Sequence, residues 1–289
     1  MSATSTQPAR AHSTPSISVA LGGGGARGFA HIVVMEALDE LGVRPSRIAG
    51  TSIGAVAGAP WAAGISGKDL RAYLLGRVRD RTGVLAAIMR ARAGRISDIF
   101  SGQLTNPVML DPEKILKSFW PAGIPDTFEE LTIPLDVVAT DYFGREQRIF
   151  NSGKLLPATA ASMAIPGLFK PVVIDDRVLV DGGAVNPLPY THLIGHGDFV
   201  IGCDVTGGPV EGRRAVPLPL EALLGSTQIM QWSITAQMLQ TSRPDLILRP
   251  DVDHFRILDF FRAAKILAAS EPLKDQIKGA LDHLLASSA

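Results

Sequence analysis

The chain has 289 residues, 46% of them hydrophobic and 19% charged, enough apolar material for one large buried core or a domain with an appendage. Its 28 basic and 28 acidic side chains cancel to a formal net charge of zero, so no global field draws it to nucleic acid and no such partner is expected. The one cysteine, Cys203, excludes an intrachain disulfide framework and a cysteine-rich metal site, and fits a reducing, cytoplasmic location.

In chain order, residues 1–16 are rich in Ser, Thr, Ala and Pro and lack an apolar signal core, so a disordered tail is predicted. Ser16–Leu21 is short, apolar and bounded by turn signals, as a buried strand is. Gly22–Gly25 follow, then an apolar-periodic helix over Phe29–Leu41 that Gly42 ends. Arg47–Ala49 reads as a second strand and a helix is expected to start near Ile53. Strand, glycine loop, helix, strand, tight turn, helix is the order of a parallel sheet covered on both faces. The uncharged window from Ile48 to Gly67 is long enough for a membrane span, but its glycines and Pro60 favour a buried strand-turn-helix. Residues 68–105 look helical, interrupted at Gly83 and Gly94. Leu135–Ala139, Glu146–Phe150 and Phe199–Val205 read as strands, Val172–Ile174 and Val178–Val180 as a hairpin around Asp175-Asp176, and Ala158–Ala164 as a short helix. From Leu218 onward the pattern is mainly helical, ending in Leu267–Leu285.

Three elements carry chemistry. Gly50-Thr51-Ser52-Ile53-Gly54 is a G-x-S-x-G pattern between a strand and a helix, where glycines permit a sharp turn that exposes the serine hydroxyl to a helix N-terminus. Taken alone it fits a structural turn as well as a nucleophile. Gly23 to Gly28 contains G-x-G-x-x-G, but the second strand ends without the acidic residue that a dinucleotide site needs. An oxyanion hole, or a plain flexible turn, remains. Asp181-Gly182-Gly183 ends an apolar strand, and such an aspartate can take a neighbouring serine's proton or simply make a turn.

These elements in this order resemble the patatin-like phospholipase family, over roughly residues 17–205, and within it the short bacterial members related to the neuropathy target esterase catalytic domain. Ala139-Thr140-Asp141, Ala161-Ser162-Met163-Ala164-Ile165-Pro166 with Phe169 and Pro171, and Asn186-Pro187 agree with it. The resemblance implies a three-layer α/β/α sandwich with a mostly parallel central sheet, and a catalytic dyad of Ser52 and Asp181. It implies an oxyanion hole from the amides of Gly23, Gly24 and Gly25, supported by Arg27, Gly28, Gly50, Gly54, Gly182 and Gly183. Acyl transfer to Ser52 and then to water would release a fatty acid from a lipid or lysolipid ester, with no metal or cofactor. Carboxylester hydrolysis, acyl transfer to an alcohol and non-catalytic lipid binding are the alternatives. Residues 17–205 would form the catalytic core, with a helical part over 206–289 packed on the same domain. Gly22 stands where plant members carry Asp, and Pro60 interrupts a helix where relatives carry an apolar helix former, which could reshape the acyl pocket.

His31, His192, His196 and His254 are read as structural or solvated, Cys203 as core, and Asp141 and Asp204 as turn or strand-end residues. Residues 71–95 hold seven arginines and one acid, Asp80, a local charge of 7 − 1 = +6, with apolar residues interleaved. This segment reads either as a solvated helical face or as a peripheral contact on an anionic lipid surface.

Overall fold

The computed structural model describes residues 15–92, 109–209 and 216–288. The tail reading of residues 1–16 and the end of the basic segment, Arg95 included, therefore lie almost wholly or wholly outside the described residues. The first strand, β1 (Ile17–Leu21), pairs in parallel with β2 (Arg47–Thr51) on one side and β7 (Phe199–Cys203) on the other. Along β1, Ile17, Val19 and Leu21 face one layer and Ala20 the other, as the two-residue period of a strand requires. The first layer holds α1 (Ala30–Glu40), α2 (Ile53–Ala62) and the C-terminal α9 (Leu273–Ser288), with Met35, Trp61 and Ile277 in one shared core. The opposite layer is the turn Pro189–His192 with α7 (Pro219–Thr241), through Tyr190, Leu193 and Leu239. The chain is thus an α/β structure with a mostly parallel sheet between two layers.

By hydrogen-bonded neighbours the sheet runs β5 (Val172–Ile174), β6 (Arg177–Asp181), β3 (Leu135–Asp141), β2, β1, β7, β8 (Leu246–Leu248), with β4 (Glu146–Phe150) also paired to β3. β5 (Val172–Ile174) and β6 (Arg177–Asp181) form the expected hairpin, and the turn's Asp175 and Asp176 both adopt positive φ. β3 pairs in parallel with β2 and antiparallel with β6. Val137 and Val138 pair with both β4 and β2, while Ala139, Thr140 and Asp141 pair with both β4 and β6. β2 and β6 therefore share the edge of β3 opposite β4, running toward each other. Thr51 partners Val138 and Asp181 partners Ala139, so the two strand ends meet on adjacent residues of β3.

Several boundaries differ from the sequence reading. The helix at 158–164 is α6 (Leu155–Ser162), starting a turn earlier with Pro157 in its first turn. The break in the basic segment falls at Asp80, which caps α4 (Arg81–Arg90) after α3 (Gly67–Arg79), and Gly83 lies inside α4's first turn. α5 (Pro112–Phe119) carried no sequence expectation, and the edge strand β8 (Leu246–Leu248), paired with β7, corrects the helical reading of its stretch. The final helix is split at Glu271-Pro272 into α8 (Ala263–Ser270) and α9, because a proline cannot continue α8's ladder. Among the described residues no helix is long and apolar enough to cross a membrane, and the Ile48–Gly67 window is β2, a turn and α2.

Candidate active site

The turn between β2 and α2 places Ser52 at φ 55° and ψ −122°, a strained conformation for a residue with a side chain. Its neighbours make the turn possible: a Cβ on Gly54 would overlap the Leu21 carbonyl oxygen, and one on Gly50 would lie 2.6 Å from the Ala55 amide nitrogen. Ser162, at the end of α6, fixes the turn from outside. Its Oγ accepts the Ser52 amide at 2.8 Å and donates to the Val138 carbonyl at 2.5 Å. Thr51 Oγ1 donates to the Asn186 carbonyl at 2.8 Å. Ser162 and Asn186 stand in motif segments of the sequence, but only the fold shows what they touch.

Opposing strand ends bring Ser52 Oγ to 2.5 Å from Asp181 Oδ2, donating to it. Asp181 is anchored at three points: its amide donates to the Ala164 carbonyl, its carbonyl accepts Thr140 Oγ1, and Oδ1 accepts the Gly183 amide at 2.7 Å. Both side chains are buried. Burial pushes the Asp181 carboxyl up from the ordinary carboxylate range to about 6, against the opposing hydrogen bonds from Ser52 and Gly183. A proton acceptor of that affinity, bonded to a hydroxyl, can take the proton near neutral pH.

No histidine hydrogen-bonds either residue among the described residues. His192 Nε2 lies near Gln147 and Asn186 side chains, and His254 is exposed beside Asp251. His31 is buried in α1, where Nε2 hydrogen-bonds the Gly22 carbonyl at 2.8 Å and desolvation lowers its pKa to about 4, keeping the ring neutral. Cys203 is buried, and desolvation pushes its thiol well above its ordinary range. Asp141, at the end of β3, accepts the Gly144 amide and pairs with Arg177 at 2.5 Å; Asp204 pairs with Arg249.

The glycine loop passes beside the turn. The Gly22 and Gly23 amides are spent on the Cys203 and Pro187 carbonyls. Those of Gly24 and Gly25 carry no hydrogen bond to a protein acceptor among the described residues. Arg27 is fully buried and points away from the dyad. Its Nε donates to the Phe255 carbonyl at 2.9 Å, Nη1 to Thr206, and Nη2 to Gly208 and to Gln228 Oε1, both at 2.8 Å. It braces the loop against the C-terminal region.

A cavity of about 440 Å³ opens onto Ser52. Gly25, Gly28 and Ile53 line it near the serine, and Met163, Phe169 and Phe260 continue an apolar wall. Pro60 also lines it, within α2. α3 and α4 close one side with Leu74, Val84 and Ile88. The volume falls in the roughly 300–1,000 Å³ range of small-molecule sites. Among the described residues no group of side chains is arranged to hold a metal ion.

A family model described as patatin-like phospholipase matches residues 19–194. The chain belongs to the patatin-like phospholipase family. The patatin-like match contains the glycine loop, Ser52 and Asp181, and stops before α7, although Arg27 reaches into that later region. Patatin-like relatives include an uncharacterized NTE family protein of Mycobacterium tuberculosis, 36% identical over 212 residues, 71% of this chain and 53% of that one. Lysophospholipase NTE1 of Mycosarcoma maydis is 31% identical over 185 residues, 63% of this chain and 9% of that one. The chain thus spans about half, or less, of these curated relatives. Among solved structures, VipD from Legionella pneumophila superposes with a TM-score of 0.52 at 14% identity, over 94% of this chain and 67% of that chain, a likeness of fold alone.

Proposed function

We propose that the protein is a lipid acyl hydrolase of phospholipase A or lysophospholipase type, with Ser52 as nucleophile and Asp181 as its base. The observation that carries this reading is the buried 2.5 Å hydrogen bond from Ser52 Oγ to Asp181 at the wall of an apolar cavity. Family membership and the relative named a lysophospholipase support it. In the proposed cycle Ser52 Oγ attacks the ester carbonyl as Asp181 accepts its proton. The carbonyl oxygen becomes an oxyanion in front of the Gly24 and Gly25 amides, where each preorganised donor is worth roughly 3 kcal/mol. Gly23, with its amide on Pro187, supports the loop instead. Asp181 returns the proton to the leaving alcohol, accepts one from the water that attacks the acyl-serine, and passes it to Ser52 Oγ as the acyl bond breaks and the fatty acid leaves. The cavity holds the acyl chain, with residues 206–289 completing the same domain. The direct test is fluorophosphonate labelling of wild type, Ser52→Ala and Asp181→Asn, followed by fatty-acid release from a lysophospholipid. Labelling of wild type alone is expected; equal labelling of Asp181→Asn would remove Asp181 as the base.

A second element of the reading is peripheral membrane contact through α3 and α4. α4 is apolar on two faces: Val84 and Ile88 line the cavity, while Leu85 and Met89 are 62% and 51% exposed. Arg79, Arg81, Arg90 and Arg92 are exposed around them. Arg71 does not belong to that surface, because Glu36 and Glu271 both pair with it at 2.6 Å. Flotation with vesicles containing anionic lipid tests this, and binding unchanged after Arg79, Arg81, Arg90 and Arg92 become glutamine would refute it.

A further inference from the structure

The acyl cavity is apolar almost throughout, and among the described residues lining it only Ser52, Tyr73 and Arg77 carry a hydroxyl or a charge. Tyr73 and Arg77 sit four positions apart on α3, so they share one face of that helix. The guanidinium of Arg77 is held in place. Its carbon lies 5.1 Å from the centroid of the Phe119 ring, and Nη2 donates to the Ser118 carbonyl at 2.7 Å. Its Nε is buried with no hydrogen-bond acceptor among the described residues. No carboxylate pairs with Arg77 among the described residues. The nearest acid in sequence, Asp80, accepts from the Gly83 amide and Thr82 hydroxyl and feels the Arg77 charge only through space, without a direct ion pair. The Tyr73 phenol has no hydrogen-bond partner among the described residues, and burial raises its pKa against the opposing charge of Arg77.

A cation on an apolar wall without a directly paired carboxylate is costly unless a ligand supplies an anion. A guanidinium offers five donors in a planar fork that matches an oxyanion, and here Ser118 uses one while Phe119 fixes the plane. We propose that Arg77, assisted by Tyr73, is an anion subsite of the acyl cavity and holds a phosphate or carboxylate carried by the bound lipid. This rests on the acyl-hydrolase reading and narrows its substrates to esters whose bound form places a negative group on α3. Phosphate would come from a lipid headgroup and carboxylate from a released fatty acid. The competing role for Arg77 is mechanical, tying α3 to the C-terminal end of α5 through Ser118.

The test compares wild type, Arg77→Met and Arg77→Lys on two esters with the same dodecanoyl chain, one a glycerol phosphate and one a neutral glycerol. Losing one charged, bidentate contact lowers the phosphate-to-neutral ratio of kcat/KM about 10- to 100-fold, with Arg77→Lys recovering part of it. In a Ser52→Ala background, calorimetry with dodecyl phosphate and with dodecanoate reads the subsite without turnover. Weakening of dodecyl phosphate by Arg77→Met assigns the subsite to the headgroup, and weakening of dodecanoate alone assigns it to the fatty acid. A ratio that does not move, with both ligands bound as before, overturns the proposal. Equal losses on both esters with a lowered melting temperature do so too, and leave Arg77 as a brace for α5. If wild type cleaves neither ester yet dodecyl phosphate binding still needs Arg77, the hydrolase reading fails and the subsite stands.

Discussion

Around Ser52 and Asp181 the side chains are buried and fixed by the backbone: strand ends that meet on β3, glycines with no room for a Cβ, and hydroxyls bonded to carbonyls. Along α3 and α4, on the other side of the same cavity, position is set by amphipathic pattern, with arginines and two large apolar side chains in solvent. Under the proposed function a change of one atom at Ser52 or Asp181 alters the chemistry, whereas changes along α3 and α4 alter what is bound. The dyad also opposes the fold, because it keeps a carboxylate where burial disfavours charge.

The comparison breaks most visibly at the dyad. Ser52→Ala and Asp181→Asn are each expected to lower kcat at least about 10⁴-fold, the scale of removing a nucleophile or its base. Steady-state fatty-acid release checks this. Gly54→Ala forces a methyl group into the Leu21 carbonyl and should cost roughly 3 kcal/mol, read from urea midpoints. The pH profile separates activity from stability. As the proposed base Asp181 must be ionised, so kcat/KM is expected to fall about tenfold per pH unit below about 6 and to be level above it. Its folded pKa is raised above the unfolded value, so its stabilising contribution is present below the ordinary aspartate pKa and lost as pH rises through about 6. Asp181→Asn should therefore be more stable than wild type at pH 8, by about 3 kcal/mol, in thermal or urea unfolding. On the wall the effects are smaller. Leu85→Gln with Met89→Gln should change stability by no more than about 0.5 kcal/mol, since both side chains are already in water. The same pair is expected to weaken vesicle binding, while Val84→Gln with Ile88→Gln changes turnover of soluble esters.

Much of the fold was legible where apolar runs end in glycine: β1, α1, β2 and the turn at Ser52 follow from such punctuation. β8 was not, because three residues between Pro244 and Pro250 are too few to show a period. Ser52 and Asp181 stood out as residues at strand ends, and their contact needed the antiparallel return of β6. Ser162 and Arg77 were hidden for different reasons. A serine in an alanine-rich helix has no signature of its own, and an arginine among seven looks like one more solvated charge until the cavity behind it is seen.

Arg27 sets a condition on when this loop can be assembled. Its four acceptors lie 179, 181, 201 and 228 residues further along the chain. At about 5–20 residues per second, a ribosome needs roughly 10–50 seconds after residue 27 before the last of them exists. A nascent chain can carry the complete G-x-S-x-G turn well before its glycine loop is braced.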